Sequence, residues 1–234
     1  MFIYTVAYFV RPFVTNEITR RYFFPALTVK IVGALGVGFL YQFYYGGGDT
    51  FMYHTHGSRL VWSAFMESSE AGIKLLFADG SSHTGIYRYS SQIYFYKDPQ
   101  SYAVIRIASF FDLFTFSTYS STAILFALVS FTGMWMFFLT FYIQYPQRHR
   151  GLAIATLFIP SVFFWGSGLL KDTITLGCLG LATYLTFRIF IQKKLALAHF
   201  LLLMISLYAL FVIKIYILLT FLPAAIFWIF VHSY

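Results

Sequence analysis

From Ser117 to Ile143 the chain carries no charged side chain. A helix rises about 1.5 Å per residue, so a stretch of this length exceeds the ~20 residues needed to cross a bilayer core. Shorter apolar runs flank it on both sides. Spans are expected near residues 23–45, 117–143, 152–170, 173–191, 195–213 and 216–231. Residues 1–22 then form a cytoplasmic or interfacial N-terminal segment, and residues 23–234 form the transmembrane domain. The expected fold is all-α: a polytopic transmembrane helix bundle of about six spans. Only 10% of the residues are charged, against roughly 25% in soluble domains. A water-soluble fold could not cover its surface with so few.

The net charge of +8 raises the question of nucleic acid, but the basic residues fall in short connections. Arg11, Arg20 and Arg21 precede the first span. Arg148 and Arg150 follow the second, and Arg188, Lys193 and Lys194 follow the fourth. The positive-inside rule makes these connections cytoplasmic. Asp49, Glu67, Glu70, Asp79, Asp98, Asp112 and Asp172 then face outward, and only Glu17 stays inside. No nucleic-acid partner is implied. Cys178 is the single cysteine and lies in an apolar run, which excludes a disulfide or a thiolate metal cluster. The chain ends in apolar 226–230 with no basic anchor behind it, so the natural chain is expected to continue.

The outward side is dominated by a connection over about 46–116. Ordered loops of that length are usually functional. Two amphipathic stretches within it, 58–77 and 102–116, fit interfacial helices at the membrane surface.

Chemistry concentrates at three places on that side. Gly46-Gly47-Gly48-Asp49 follows the first span. Glycines let the backbone turn sharply, and an acid at the membrane edge is suited to accept a proton. The plainer reading is a solvated aspartate after a flexible turn. His54 and His56 follow closely and are weak candidates for a metal site with Asp49, which leaves a divalent metal open and no cofactor certain. Lys171-Asp172 closes the segment Pro160–Leu170. Lys171 can hold a phosphate as a point charge, and Asp172 can orient it; an ordinary helix cap fits equally well. Lys214 interrupts the last apolar stretch, where snorkelling to the interface is the alternative. Arg106 is a further cation on the outward side.

This pattern resembles the GT-C superfamily of polytopic glycosyltransferases that use polyprenyl-phosphate-linked sugars. The resemblance rests on Asp49 after the first span with Tyr53 four positions on, on the long outward loop, and on a later outward turn bearing Trp165, Lys171 and Asp172. Many members carry two adjacent acids where this chain has Asp49-Thr50, and most are longer. The resemblance implies a membrane enzyme of cell-envelope polysaccharide assembly in a bacterial inner membrane. Asp49 would be catalytic, and Tyr53, Arg106, Lys171, Asp172 and Lys214 would bind the substrate. Its partners would be a lipid-linked sugar donor, membrane lipids and other proteins of a membrane complex. A non-catalytic membrane subunit and, with less support, a transporter remain open on the residues alone.

Overall fold

A computed structural model describes residues 2–81 and 85–233. Met1, residues 82–84 of the long loop and Tyr234 lie outside the described residues. Among the described residues the chain is helical, with no strand. Four helices are long and apolar enough to cross a membrane: Arg20–Tyr44, Tyr119–Gln144, Lys171–Ile191 and Leu197–His232. This is an integral membrane protein by the length and character of its helices.

The first of these begins as α2 (Arg20–Phe39) and finishes in a π-helical turn, Leu40–Tyr44. It follows a short apolar helix, α1 (Phe2–Val14). The long loop folds into α3 (Asp49–Tyr53), a π-helical turn over His54–Ser58, α4 (Arg59–Glu67), α5 (Ser69–Leu76), α6 (Tyr87–Ser90) and α7 (Pro99–Thr115). Next come α8 (Tyr119–Gln144), α9 (His149–Ala153), α10 (Pro160–Trp165), α11 (Lys171–Thr186, extended by a π-helical turn to Ile191) and α12 (Leu197–Ser233).

The central element is α8. Against α2 it packs Trp135 and Phe131 on Phe23, edge to face, with centroids 5.0 and 5.2 Å apart. Against α11 it brings two backbones together at glycines. A Cβ on Gly177 would stand 2.9 Å from the Val129 carbonyl, and one on Gly133 would collide with the Gly177 backbone. Small residues permit this approach, which maximises dispersion contact between apolar helices.

The stretch expected as one span over 152–170 is not a continuous helix. Pro160 lacks an N–H and forces its predecessor out of the helical region. Ile159 accordingly has φ −67° and ψ 124°, which separates a π-helical turn (Ile154–Phe158) from α10. The broken stretch still runs alongside α2 in the same direction. His149 accepts or donates a 2.7 Å hydrogen bond with the Tyr22 hydroxyl, the Phe164 ring lies against Gly36, and Gly168 against Val37. Glycines 33, 36 and 38 are the surface that admits Phe163, Phe164 and Tyr119.

The two stretches expected at 195–213 and 216–231 are joined in α12, where Lys214 alone leaves helical geometry (φ −146°, ψ 77°). A straight helix would carry Trp228 about 37 Å beyond Leu203. Yet Leu203 packs with Leu185 and Ile189, while Trp228 stacks on Phe187 at 5.9 Å and Phe141 at 6.3 Å. The chain therefore doubles back at Lys214.

One further difference concerns α7. Its sequence suggested a surface helix, but Tyr102, Val104, Ile105, Ala108 and Asp112 are buried. The four apolar ones join one core with Ala123, Phe126, Leu169 and Ile213. The long loop is thus packed onto the heads of the long helices rather than spread beside them.

Candidate functional site

The triple glycine makes the turn that its composition suggested. Gly46, Gly47 and Gly48 have φ of 67°, 135° and 128°, a region L side chains rarely adopt. The Gly47 N–H donates to the Tyr41 carbonyl at 2.8 Å, and the Gly48 carbonyl accepts from Phe51 and Met52. A Cβ on Gly48 would meet the Tyr41 ring at 2.7 Å. This turn sets Asp49 at the head of α3. Its carboxylate is exposed, and among the described residues no cation pairs with it.

Two ion pairs stand at the same end of the bundle. Lys171 Nζ lies 3.4 Å from Asp98 Oδ2, and Lys214 Nζ donates to Asp172 Oδ1. The first pair joins α11 to α7, and the second joins α11 to the reversal in α12. Both lysines are mostly shielded, with side chains 21% and 17% exposed, while Asp172 is 61% exposed. Lys214 also lies 5.9 Å from the Tyr216 ring centroid.

Tyr53 ties these groups to Asp49. Its ring is buried and stacks on Phe95 at 5.2 Å. Burial pushes its hydroxyl up to about 12 against a hydrogen bond with Ser101, and the charges of Asp49, Asp98 and Asp172 push the same way. The charges of three carboxylates, from α3, the head of α7 and the head of α11, thus reach one phenol. Of the residues singled out in the sequence, Asp49, Tyr53, Lys171, Asp172 and Lys214 come together here.

Among the described residues Arg106 does not join them through any ion pair. Its guanidinium donates to the Ala78 carbonyl and sits over the Tyr102 ring, 5.0 Å from the centroid. It fastens the end of α5 to α7. Of the two histidines, His54 faces a different acid. His54 is buried, with Nε2 3.8 Å from Asp112 Oδ1, and the His56 carbonyl accepts from Tyr94. Among the described residues no three His, Cys, Asp or Glu side chains are grouped to hold a metal ion.

Sequence reasoning passed over two acids. Asp98 caps α7 by accepting from the Gln100 N–H at 3.2 Å and from the Ser101 hydroxyl, besides its contact with Lys171. Burial opposes its ionisation, but Ser101, Lys171 and Gln100 together hold its carboxyl below the ordinary range. The Asp98-Pro99 pair opening an amphipathic stretch was a readable cap signal. Asp112 is fully buried and accepts from Ser58 at 2.6 Å, Thr122 at 2.6 Å and Ser117 at 3.4 Å. It joins the His54–Ser58 turn, α7 and α8, and nothing local in the sequence announces that.

Beside the site, a cavity of about 290 Å³ opens between α2 and α8, lined mainly by Leu35, Phe39, Phe43, Phe51 and Tyr119. The Tyr119 hydroxyl shares a 2.7 Å hydrogen bond with Thr50, next to Asp49.

In comparisons with family models, with characterised proteins and with solved structures, no match to this chain is found.

Proposed function

We propose that this chain is a membrane glycosyltransferase that takes a sugar from a polyprenyl-phosphate donor on the outward face of a bacterial inner membrane. The observation that carries the reading is an exposed, unpaired Asp49 sharing one end of the bundle with the Lys171–Asp98 and Lys214–Asp172 pairs. In this reading the chain crosses the membrane six times. The broken stretch 149–170 makes one crossing and α12 makes two, separated at Lys214. The basic connections, including 148–150 and 193–194, then face the cytoplasm, and Asp49 faces outward.

The chemistry follows from charge. Asp49 accepts the proton of an acceptor hydroxyl as its oxygen attacks the anomeric carbon, and the bond from that carbon to the phosphate oxygen breaks. The phosphate leaves with the electron pair. Lys171 and Lys214 stabilise that charge, exchanging their carboxylate partners for it. Tyr53 acts as a buried support rather than a direct ligand, and the apolar cavity beside Phe51 suits the lipid end of the donor.

A second reading is a non-catalytic subunit of a membrane complex. It is favoured by the same two ion pairs, since both lysines are already neutralised. One experiment separates the two. Turnover of polyprenyl-phosphate sugars is measured with purified protein and with Asp49→Asn, alongside binding of the lipid. Loss of turnover with binding retained supports the enzyme. Equal turnover by the variant removes Asp49 from the mechanism, and no turnover by either protein favours the subunit.

A further inference from the structure

Lys30 lies in the middle of α2, is only 2% exposed, and has no carboxylate within ion-pair distance among the described residues. A cationic group within a span is costly unless its surroundings replace water. Here three oxygens do so: Ser130 Oγ at 2.8 Å, the Gly166 carbonyl at 2.7 Å and the Val162 carbonyl at 3.3 Å. They match the three N–H groups of a primary ammonium. Two of them belong to the last turn of α10 and its cap, where the intrahelical ladder ends and the carbonyls carry partial negative charge. Gly166 has no room for a side chain, because a Cβ there would press on Leu176, on the Val162 carbonyl and, at 3.2 Å, on Lys30 Nζ.

We infer that Ser130, Val162 and Gly166 form a cradle for a primary ammonium ion, that Lys30 fills it from within the chain, and that its filling fixes the turn 166–170. That turn is buried at Leu169 and Leu170 and leads directly into Lys171 and Asp172. The cradle stands on its own geometry. Only its consequence for a bound donor phosphate rests on the glycosyl-transfer reading. Lys30 is then a positioning residue: it closes the break that Pro160 opens beside α2, and it binds α10 to α8 through Ser130.

Lys30→Ala removes the equivalent of one n-propylammonium ion. Thermal unfolding of K30A in lipid nanodiscs is followed with added n-propylammonium, tetramethylammonium or 1-propanol. The midpoint should fall by at least about 6 °C and recover, saturably, with n-propylammonium alone. Recovery with all three additives, or with none, overturns the cradle. K30M fills the volume without the charge; it should melt low and ignore n-propylammonium, and melting like the unsubstituted protein overturns the proposal. If K30A does not accumulate, K30M decides alone. In a Cys178→Ser, Leu170→Cys background, K30M should raise maleimide labelling at position 170 on the order of tenfold. Unchanged labelling overturns the link to the turn. None of these measurements uses a sugar donor, so a failed glycosyl-transfer assay leaves them intact.

Discussion

Lys171 Nζ stands 3.4 Å from Asp98 Oδ2, so the head of α11 is held to the head of α7 across 73 positions of sequence. The same carboxylate caps α7. One side chain thereby sets both the start of the last loop helix and the position of a lysine in the candidate site.

A double-mutant cycle of Asp98→Asn and Lys171→Met should give a coupling of about 0.5 kcal/mol, because both partners are partly exposed and screened. The sign of the pH effect follows from the depressed carboxyl of Asp98. Its folded value lies below the unfolded value, so its contribution is present above about pH 4 and lost as the pH falls through the folded value. Asp98→Asn should therefore flatten the most acidic part of the stability curve, as read by thermal unfolding in nanodiscs.

His54 works at milder acidity. Burial holds its imidazole below the ordinary value, aided by Arg59 and opposed by Asp112 and the Ser117 backbone. Its folded value lies below the unfolded one, so stability is lost as pH falls below about 6.5, where the unfolded chain takes up the proton first. His54→Gln should reduce the difference between melting points measured at about pH 7.5 and about pH 5.5. An unaltered difference would assign that pH dependence elsewhere.

Asp112→Ala should destabilise by about 3 kcal/mol. It leaves the buried hydroxyls of Ser58 and Thr122 without their acceptor and removes the link from the His54–Ser58 turn to α8. Asp112→Asn keeps one acceptor oxygen and should cost about half as much. Chemical unfolding of the two variants measures the ranking.

Gly177→Ala should weaken the α8–α11 contact by about 1–3 kcal/mol, since its Cβ would stand 2.9 Å from the Val129 carbonyl and 3.1 Å from the Ser130 Cα. Gly151→Ala should be close to neutral, because open space surrounds that position. Melting temperatures of the pair provide the comparison.

Much of the architecture was readable from hydropathy. The long apolar helices begin within a few residues of where the charge-free runs begin, because the bilayer demands length and apolarity locally. The Gly46–Gly48 turn was readable for an equally local reason, since only glycine tolerates those angles in succession. Asp98 could have been read from its cap signal. Asp112, Lys30 and the true neighbours of Arg106 could not, because nothing beside them in the sequence names their partners.

The sequence by itself determined that this chain is a bundle of membrane-crossing helices with most of its acids and its triple glycine in one long loop. Those properties depend on side-chain transfer to lipid and on backbone sterics, which each residue carries with it. Tertiary structure alone decided that Lys171 meets Asp98, that Lys214 marks a reversal and meets Asp172, that Arg106 is spent on Ala78, and that Lys30 is satisfied by oxygens from two other helices. Each of those contacts joins residues far apart in the chain, and it is set by which helix faces pack together.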